Sequence, residues 1–270
     1  MITNVSEEMF GLRYKYFIND GLASSSVAMK KEWESHIRKF TQLYNSLFNI
    51  KNIIDIGANF GYHTLLFSQM CSENVYAFEP QPQSFKLLED NLEINKIKNV
   101  ISYNYACGDE NCDIKMPLFT NTDKKINMGD ITPNLSYVGS STITKSIILD
   151  EFNFSSKINL IKLDVQGWEK KVLMGATTLL KIHKPVLIVE FEHFQLKKTN
   201  TTCKELFDFI REQDYYIFYL EYLYPCDHVC VHKDNLTEFR LKFENNIFPH
   251  TENNGLNNNL INGVNEKIVV

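Results

Sequence analysis

The chain has 270 residues, with 28 Lys and Arg against 33 Asp and Glu, a formal net charge of −5 and 44% hydrophobic residues. This charge argues against a general nucleic-acid binder with a basic face, and the 13% aromatic residues argue against a wholly disordered chain. The length suits one large α/β domain or two small ones. No apolar run of about 18 residues and no secretory signal are present, so we expect no membrane span. The six cysteines are scattered, which favours reduced thiols in a cytoplasmic protein.

The N-terminal part of the chain is predicted to be helical. Residues 30–48 place Trp33, Ile37, Phe40 and further apolar side chains at spacings of three and four, which is typical of an amphipathic helix. We therefore assign residues 1–49 to an N-terminal helical lead.

Short apolar runs and helical segments then alternate along the chain. Such alternation predicts a parallel sheet with helices on both faces, because each helix carries the chain back to start the next strand. The predicted strands are residues 52–56, 75–78, 100–105, 158–164, 185–191, 215–220 and 229–232, and the predicted helices are 61–70, 82–95, 169–180 and 202–213.

Two segments do not follow this alternation. Residues 107–157 are too long for a single connection, and we predict an excursion with short strands near the active end of the sheet. Residues 236–270 are rich in Asn and are expected to form a polar, partly disordered C-terminal tail. Residues 50–235 then form one core domain.

The strongest functional signal is Asp55-Ile56-Gly57-Ala58-Asn59-Phe60-Gly61, which follows the first strand and opens a helix. Glycines allow a tight turn there, and the free N–H groups of a helix N-terminus face an anionic ligand group. The spacing is not the G-x-G-x-x-G of dinucleotide-binding proteins. The acidic residue before the first glycine suits a ligand with an amino-acid end.

Glu79 adds a second element of the same site. It ends the second predicted strand, where an acidic side chain accepts hydrogen bonds from both hydroxyls of a ribose. An amino-acid end and a ribose together describe S-adenosylmethionine. The residues predicted to contact this cofactor are Asp55, Gly57, Ala58, Asn59, Gly61, Glu79, Pro80, Asn104, Ala106 and Asp164.

The stretches IIDIGANFGYHTLLFS, VYAFEPQPQSFKLLEDNLEIN, LIKLDVQGWEKKVLMGA and KPVLIVEFE together resemble the FkbM family of S-adenosylmethionine-dependent methyltransferases. The similarity covers roughly residues 50–195. It implies a Rossmann-like class I methyltransferase fold, with a seven-stranded, mostly parallel sheet in the order 3-2-1-4-5-7-6. It also implies methyl transfer to a hydroxyl of a small molecule or a glycan sugar.

One residue departs from the family pattern. The family usually reads Asp-x-Glu-Gly after the fourth strand, and this chain has Gln166 at the Glu position. Gln keeps hydrogen bonding but loses the charge and any role as a base or metal ligand. An alternative reading is therefore a catalytically altered module that binds S-adenosylmethionine and acts through partners.

The candidate catalytic residues are Asp164, Glu190 and His193, which end or follow the fourth and fifth strands. An open α/β sheet binds its ligands at this edge, and an alcohol acceptor needs a base. Asp164 is favoured to orient or deprotonate the acceptor. Lys162 shares its face of the strand and is a candidate to pair with a carboxylate. His63, in the first turn of the helix after the glycines, is read as an exposed helix residue.

Other site classes are less well supported. Cys226, His228, Cys230 and His232 alternate along one predicted strand, which spreads them in a line that does not suit tetrahedral zinc. We therefore predict no zinc there, commit to no metal site, and leave a divalent cation open. A nicotinamide-dependent dehydrogenase remains an alternative that the glycine spacing disfavours. The acceptor's identity and the oligomeric state stay open.

Overall fold

The computed structural model describes residues 3–6, 8–18, 20–119, 131–132, 139–154, 156–220, 226–249 and 265–270. The strands of these residues are β1 (Thr3–Val5), β2 (Lys15–Phe17), β3 (Asn52–Ile56), β4 (Val75–Phe78), β5 (Val100–Tyr103), β6 (Tyr105–Cys107), β7 (Cys112–Pro117), β8 (Ser141–Ile147), β9 (Ile158–Leu163), β10 (Val186–Phe191), β11 (Tyr215–Leu220), β12 (Cys226–His232), β13 (Ile247–Pro249) and β14 (Glu266–Ile268). The α-helices are α1 (Leu22–Ala28), α2 (Ser35–Phe48), α3 (Tyr62–Ser68), α4 (Pro82–Ile94), α5 (Glu169–Met174), α6 (Thr177–His183), α7 (His193–Lys198), α8 (Cys203–Glu212) and α9 (Lys233–Lys242).

A mixed sheet of nine strands forms the centre of the described structure, in the order β13-β14-β11-β12-β10-β9-β3-β4-β5. Strands β5, β4, β3, β9 and β10 run parallel, and β12 lies antiparallel between β10 and β11. The number of strands differs from the seven that the family resemblance implies. Two short C-terminal strands add to the sheet beyond β11, where Tyr219 pairs with Lys267. They give β11 a paired edge in place of an open one.

Helices cover both faces of this sheet, because alternate residues of each buried strand point to opposite sides. Leu160 and Ile188 face the core that contains α2, α3 and α9. Ile161 and Leu187 face the core that contains α5, α6 and α8. The alternation of strands and helices seen in the sequence therefore corresponds to an α/β layer structure.

The segment between the third and fourth predicted strands builds a separate small sheet. The strand predicted at 100–105 is interrupted at Asn104, so that β5 stays in the central sheet and β6 leaves it. Strand β6 then pairs with β8, and β8 pairs with β7. This three-stranded sheet is the predicted excursion, and it stands beside the carboxyl ends of β3 and β4.

The amphipathic helix of the N-terminal segment is shorter than predicted. Helix α2 begins at Ser35, because Glu34 before it has a left-handed backbone (φ 45°) that no α-helix continues. Strands β1 and β2 precede it as a two-stranded antiparallel sheet. The lead at 1–49 therefore contains strands as well as helices.

The part of the expected polar tail that the structure describes contains most of helix α9 and the strands β13 and β14. Helix α9 is mostly polar in sequence, but Phe239 and Phe243 are buried against the rings of Phe40, Phe48 and Phe218. Two aromatic residues four apart give a helix one strongly apolar stripe, which the average composition of the segment hides. The part of the expected tail at residues 250–264 lies outside the described residues.

Within the described ranges, no helix combines the length and the hydropathy that a membrane span requires.

We predict that Phe239→Ala lowers the free energy of unfolding by about 3–5 kcal/mol, because it removes a fully buried ring from the core between α2, α9 and the sheet. Leu241→Ala, on the same helix but 70% exposed, is the control and should change it by less than about 0.5 kcal/mol. Urea denaturation measures both. Equal effects of the two substitutions would mean that α9 does not belong to the core.

Candidate functional site

The glycine-containing turn after β3 is packed against the end of β9. Gly57 has φ +83°, and a Cβ at this position would lie 1.8 Å from the carbonyl oxygen of Asp164. The N–H groups of Gly57 and Ala58 both donate to the carbonyl of Phe78 at the end of β4, at 3.0 Å. Glycine is therefore required here by conformation and by space, as the motif predicted.

Glu79 lies at the end of β4 with both carboxylate oxygens engaged. Oε2 accepts from the N–H of Asn59 at 2.7 Å, and Oε1 accepts from the N–H of Gln81 at 2.8 Å. Burial raises the pKa of Glu79 to about 7, although these two hydrogen bonds oppose the shift. The carboxylate thus connects the glycine-containing turn with the segment that follows β4.

A cavity lies at the carboxyl ends of β3, β4 and β9, between the glycine-containing turn and the three-stranded sheet. Six of the predicted cofactor residues line it, namely Gly57, Asn59, Glu79, Pro80, Ala106 and Asp164. The structure therefore brings together residues that are more than a hundred positions apart in the chain.

Four predicted cofactor residues do not line this cavity. Asp55 is fully buried below the turn, where its Oδ2 accepts from the Thr64 hydroxyl at 2.6 Å. Ala58 is also buried, and Gly61 packs α3 against Leu88 of α4. The side-chain amide of Asn104 donates to the carbonyls of Glu79 and Pro80, so it holds the turn that carries Glu79. All four support the cavity wall from behind.

An apolar wall of the cavity was not predicted from the sequence. It is formed chiefly by Tyr105, Cys107, Met116, Ile131 and Trp168. Most of these residues lie in or near the three-stranded sheet, whose pairing is long-range and leaves no local pattern in the sequence. The one sequence signal for this wall was the block LIKLDVQGWEKKVLMGA, which contains Trp168.

Lys162 of β9 is buried between two carboxylates. Its side chain is 3% exposed, and its Nζ lies 3.4 Å from Asp164 Oδ2 and 3.9 Å from Asp55 Oδ1. Burial alone lowers the pKa of Lys162, but the charges of Asp164 and Asp55 outweigh it and raise the pKa above its usual value. The lysine is therefore a permanent cation, and its charge acts to lower the pKa of Asp164.

Gln166, which lines the cavity together with Asp164, connects Asp164 to Glu190, which is not among the lining residues. Its Nε2 donates to Asp164 Oδ1 at 2.8 Å and lies 3.4 Å from Glu190 Oε2. Burial and the nearby charge of Asp164 raise the pKa of Glu190 well above its ordinary value. For Asp164, burial raises the pKa, but Lys162 and the hydrogen bonds outweigh it and lower the pKa. The result is an ionised Asp164 beside a neutral Glu190.

His193 is the predicted catalytic residue that the structure separates from this cluster. It begins α7 after the N-cap Glu192, and its ring packs on Phe194, which is 67% exposed. His193 is not among the residues that line the cavity.

Two buried histidine–carboxylate pairs were missed. His63 is buried, against the expectation of an exposed helix residue, and its Nε2 lies 2.7 Å from Glu34 Oε2. His36 Nε2 lies 2.5 Å from Asp227 Oδ2, and both side chains are over nine-tenths buried. Glu34 and His36 come from the N-terminal segment, which the sequence did not connect with the site. Helix α3 faces that segment and not solvent, which is why His63 is buried.

The loop that carries Gln166 is held by a buried acid. Glu169 Oε1 accepts from the N–H groups of Val165 and Gly167, both at 3.1 Å. Burial raises the pKa of Glu169 to about 7. A Cβ on Gly167 (φ +100°) would lie 2.2 Å from the carbonyl oxygen of Gln195, so α7 also restrains this loop.

No group of three or more His, Cys, Asp or Glu side chains among the described residues has a geometry that would hold a metal ion. The predicted strand at 229–232 is part of β12, which lies between β10 and β11.

Comparison with known proteins identifies one family. The methyltransferase FkbM domain family matches residues 55–217. The hexuronic acid methyltransferase AglP of Haloferax volcanii is 34% identical over 133 residues, or 47% of this chain and 50% of that protein. Methyltransferase 1 of Beauveria bassiana is 25% identical over 142 residues, or 46% of this chain and 57% of that protein. The chain thus spans about half the length of the curated relatives it matches.

Two solved structures are also similar. The crystal structure of methyltransferase FkbM from Methylobacillus flagellatus has a TM-score of 0.48 at 15% identity, covering 70% of this chain and 48% of that one. A Streptococcus mutans protein in complex with SAH has a TM-score of 0.46 at 14% identity, covering 74% and 98%.

We predict that Gly57→Ala costs about 3 kcal/mol of unfolding free energy, because its Cβ meets backbone and its φ is positive. Gly11→Ala is the matched control: Gly11 also has a positive φ (+75°), but its nearest neighbour atom lies 3.8 Å away, so only about 1 kcal/mol is expected. Chemical denaturation compares the two. A Gly57 variant no less stable than the Gly11 variant would contradict the close contact with Asp164.

Glu169 should make stability fall with rising pH. The folded protein retains a proton on this carboxyl up to about pH 7, whereas the unfolded chain releases it near pH 4.5. The free energy of unfolding therefore decreases across this window, by about 3 kcal/mol from this group alone. Unfolding free energies at pH 5 and pH 8 should differ less in Glu169→Gln than in the wild type. The exposed control Glu212→Gln should keep the wild-type difference, and an unchanged difference in Glu169→Gln would refute the assignment.

Proposed function

The chain belongs to the FkbM methyltransferase family, and we propose that it transfers a methyl group from S-adenosylmethionine to a hydroxyl of a small molecule or a glycan sugar. The observation that carries this proposal is the shared cavity of Gly57, Glu79 and Asp164. It combines a backbone turn for an amino-acid end, a carboxylate for a ribose and an ionised acid on the far wall. The activity, the cofactor and the acceptor are all parts of the proposal.

The chemistry of the residues fits this cofactor. The side-chain Oδ1 of Asn59 is buried and has no hydrogen-bond partner in the described residues, which leaves an acceptor for an ammonium group. Each oxygen of Glu79 already accepts one backbone N–H and keeps a second lone pair for a ribose hydroxyl. Ala106, Met116 and Trp168 offer an apolar surface for the base. When bound, the cofactor would supply an activated methyl group on a positively charged sulfur.

Asp164 is the residue we assign to the acceptor hydroxyl. An alcohol must lose its proton as its oxygen attacks the methyl carbon in line, and an ionised acid within hydrogen-bond reach takes up that proton. Lys162 and Gln166 fix the orientation of Asp164 through its two oxygens. Glu190 is a positioning residue in this scheme. Its carboxyl group lies beside Asp164 and, because its pKa is raised, adds no second negative charge next to that residue.

The sugar part of the proposal is supported by the Haloferax volcanii relative, which is named for hexuronic acid methylation. The identity of 34% extends over only half of that protein, so we take from it the acceptor class, a sugar, and not the particular sugar.

Because Gln166 replaces the Glu of the family pattern, a second candidate function is a domain that binds S-adenosylmethionine without transferring its methyl group. The contact that favours activity is the amide bridge from Gln166 to Asp164 and Glu190, which still orients both acids without an added charge. Binding of the cofactor together with no methyl transfer to any extract would favour the binding module.

The test of the proposal is isothermal titration of the full chain with S-adenosylmethionine, its demethylated product and NAD⁺. We expect micromolar affinity for the first two and none for NAD⁺. If the folded protein binds neither, the proposal fails, and binding of NAD⁺ alone would favour a dehydrogenase. Transfer of a labelled methyl group to a glycan or metabolite extract then separates an active enzyme from a binding module.

We predict that Glu79→Gln weakens binding of S-adenosylmethionine by about tenfold to a hundredfold at pH 8, because charge-assisted hydrogen bonds to the ribose are lost. Glu89→Gln, an exposed residue on the neighbouring α4, is the matched control and should leave the affinity unchanged. Titration calorimetry measures both. Equal affinities of the two variants would exclude Glu79 from the cofactor site.

A further inference from the structure

We propose that the methyl acceptor is uncharged where it meets the site, as a neutral sugar or polyol is, and that acidic sugars such as uronic acids are rejected. The inference rests on the proposed function, because it takes the acceptor to approach Asp164. It concerns the charge of the acceptor, which the proposed function leaves open.

The charged side chains that line the cavity are acids. Among the described residues these are Glu79 and Asp164, and no Lys, Arg or His of the described residues lines the cavity. With Glu79 engaged by the cofactor's ribose, an anionic acceptor would therefore face the carboxylate of Asp164 without meeting a cationic side chain on the described wall. Like charges brought together in a site with little water disfavour binding strongly.

More acids stand behind this wall. Asp164 is joined to Glu190 through Gln166, and Glu190 lies directly opposite Asp227 in the antiparallel pair of β10 and β12. The neighbouring strands β9, β10 and β12 thus carry a row of carboxyl groups at the end of the sheet where β9 and β10 terminate. Glu34 of the N-terminal segment is buried close enough to act electrostatically on both Glu190 and Asp227.

The cationic and basic groups of this region are already engaged by acids. Lys162 is 3% exposed and lies between Asp55 and Asp164, so its ammonium is not presented to a ligand. His36 is held by Asp227, and His63 by Glu34. The sulfonium of the cofactor would add one positive charge, which the ionised Asp164 already balances. The desolvation free energy of a buried anion that has no cationic partner is largely uncompensated.

The same groups suit a hydroxyl. The carboxylate of Asp164, which lines the cavity, accepts the amide hydrogen bond of Gln166 and keeps lone pairs that can accept from a hydroxyl. A hydroxyl both donates and accepts, whereas a carboxylate accepts only and has no proton for Asp164 to remove. The carboxylate of Asp164 is therefore of use to a hydroxyl acceptor and of none to an acidic group.

Part of this acidic wall lies outside the region shared with the family. Glu34 and Asp227 both lie outside residues 55–217, which are the residues that the family matches. The charge of the acceptor site is therefore set partly by flanking segments of this chain, and the family match by itself does not determine it.

The test uses the full chain with S-adenosylmethionine that carries a deuterated methyl group. Glycans and metabolites from the cells that produce the protein are incubated with it, and mass spectrometry identifies the residue that gains the label. We expect at least tenfold more label on neutral residues than on uronic acids or other anionic residues, per mole of each. Predominant label on anionic residues overturns the inference and leaves the proposed function standing. No label on either class contradicts the proposed methyl transfer, and the inference falls with it.

A charge variant tests the cause. Glu34→Gln should increase the ratio of anionic to neutral label several-fold, because it removes a carboxyl group that acts electrostatically on Glu190 and Asp227 behind the wall. Glu32→Gln is the control, since Glu32 lies on the same segment but pairs with Arg38. Equal ratios in the two variants would overturn the role of the acidic wall. The wild-type measurement decides the charge of the acceptor even if Glu34→Gln does not fold.

Discussion

The site depends on one buried cation. Lys162 stands in the middle of the sheet with Asp55 on one neighbouring strand and Asp164 at the end of its own; the side chains of Lys162 and Asp55 are 3% and 1% exposed, and that of Asp164 is 26% exposed. Loss of one partner of such a group leaves an uncompensated buried charge, which costs about 3–5 kcal/mol. The ion pair couples stability to chemistry, because the same lysine that closes the core below the glycine-containing turn keeps Asp164 ionised at the cavity.

From this centre the polar groups extend outward in a defined order. Asp164 is ionised, Glu190 beside it is neutral, and Gln166 bridges them. A glutamate at position 166 would put a third carboxyl group into this contact, and the amide makes the same bridge without a further charge. The departure from the family pattern is thus compatible with an ordered site.

The chain positions this site with segments from almost its whole length. The N-terminal segment supplies Glu34 and His36, β12 supplies Asp227, and the three-stranded sheet supplies the apolar wall. Helix α9 packs its phenylalanines on α2, the helix that follows Glu34. The segments outside the family match are therefore parts of one core, and they define the surroundings of a cavity whose turn and carboxylates lie within that match.

The sequence by itself determined the α/β class and the glycine-containing turn, and it predicted Gly57, Glu79 and Asp164, which line one cavity in the structure, because strand ends, glycines and local periodicity leave marks over a few residues. Only the tertiary structure decided the burial of His63, the absence of His193 from the described cavity lining, the helix in the expected tail, and the two strands that enlarge the sheet. Each of these depends on contacts between residues distant in the chain. Their free energy comes from burial and charge pairing in three dimensions, which leave no short-range pattern to read.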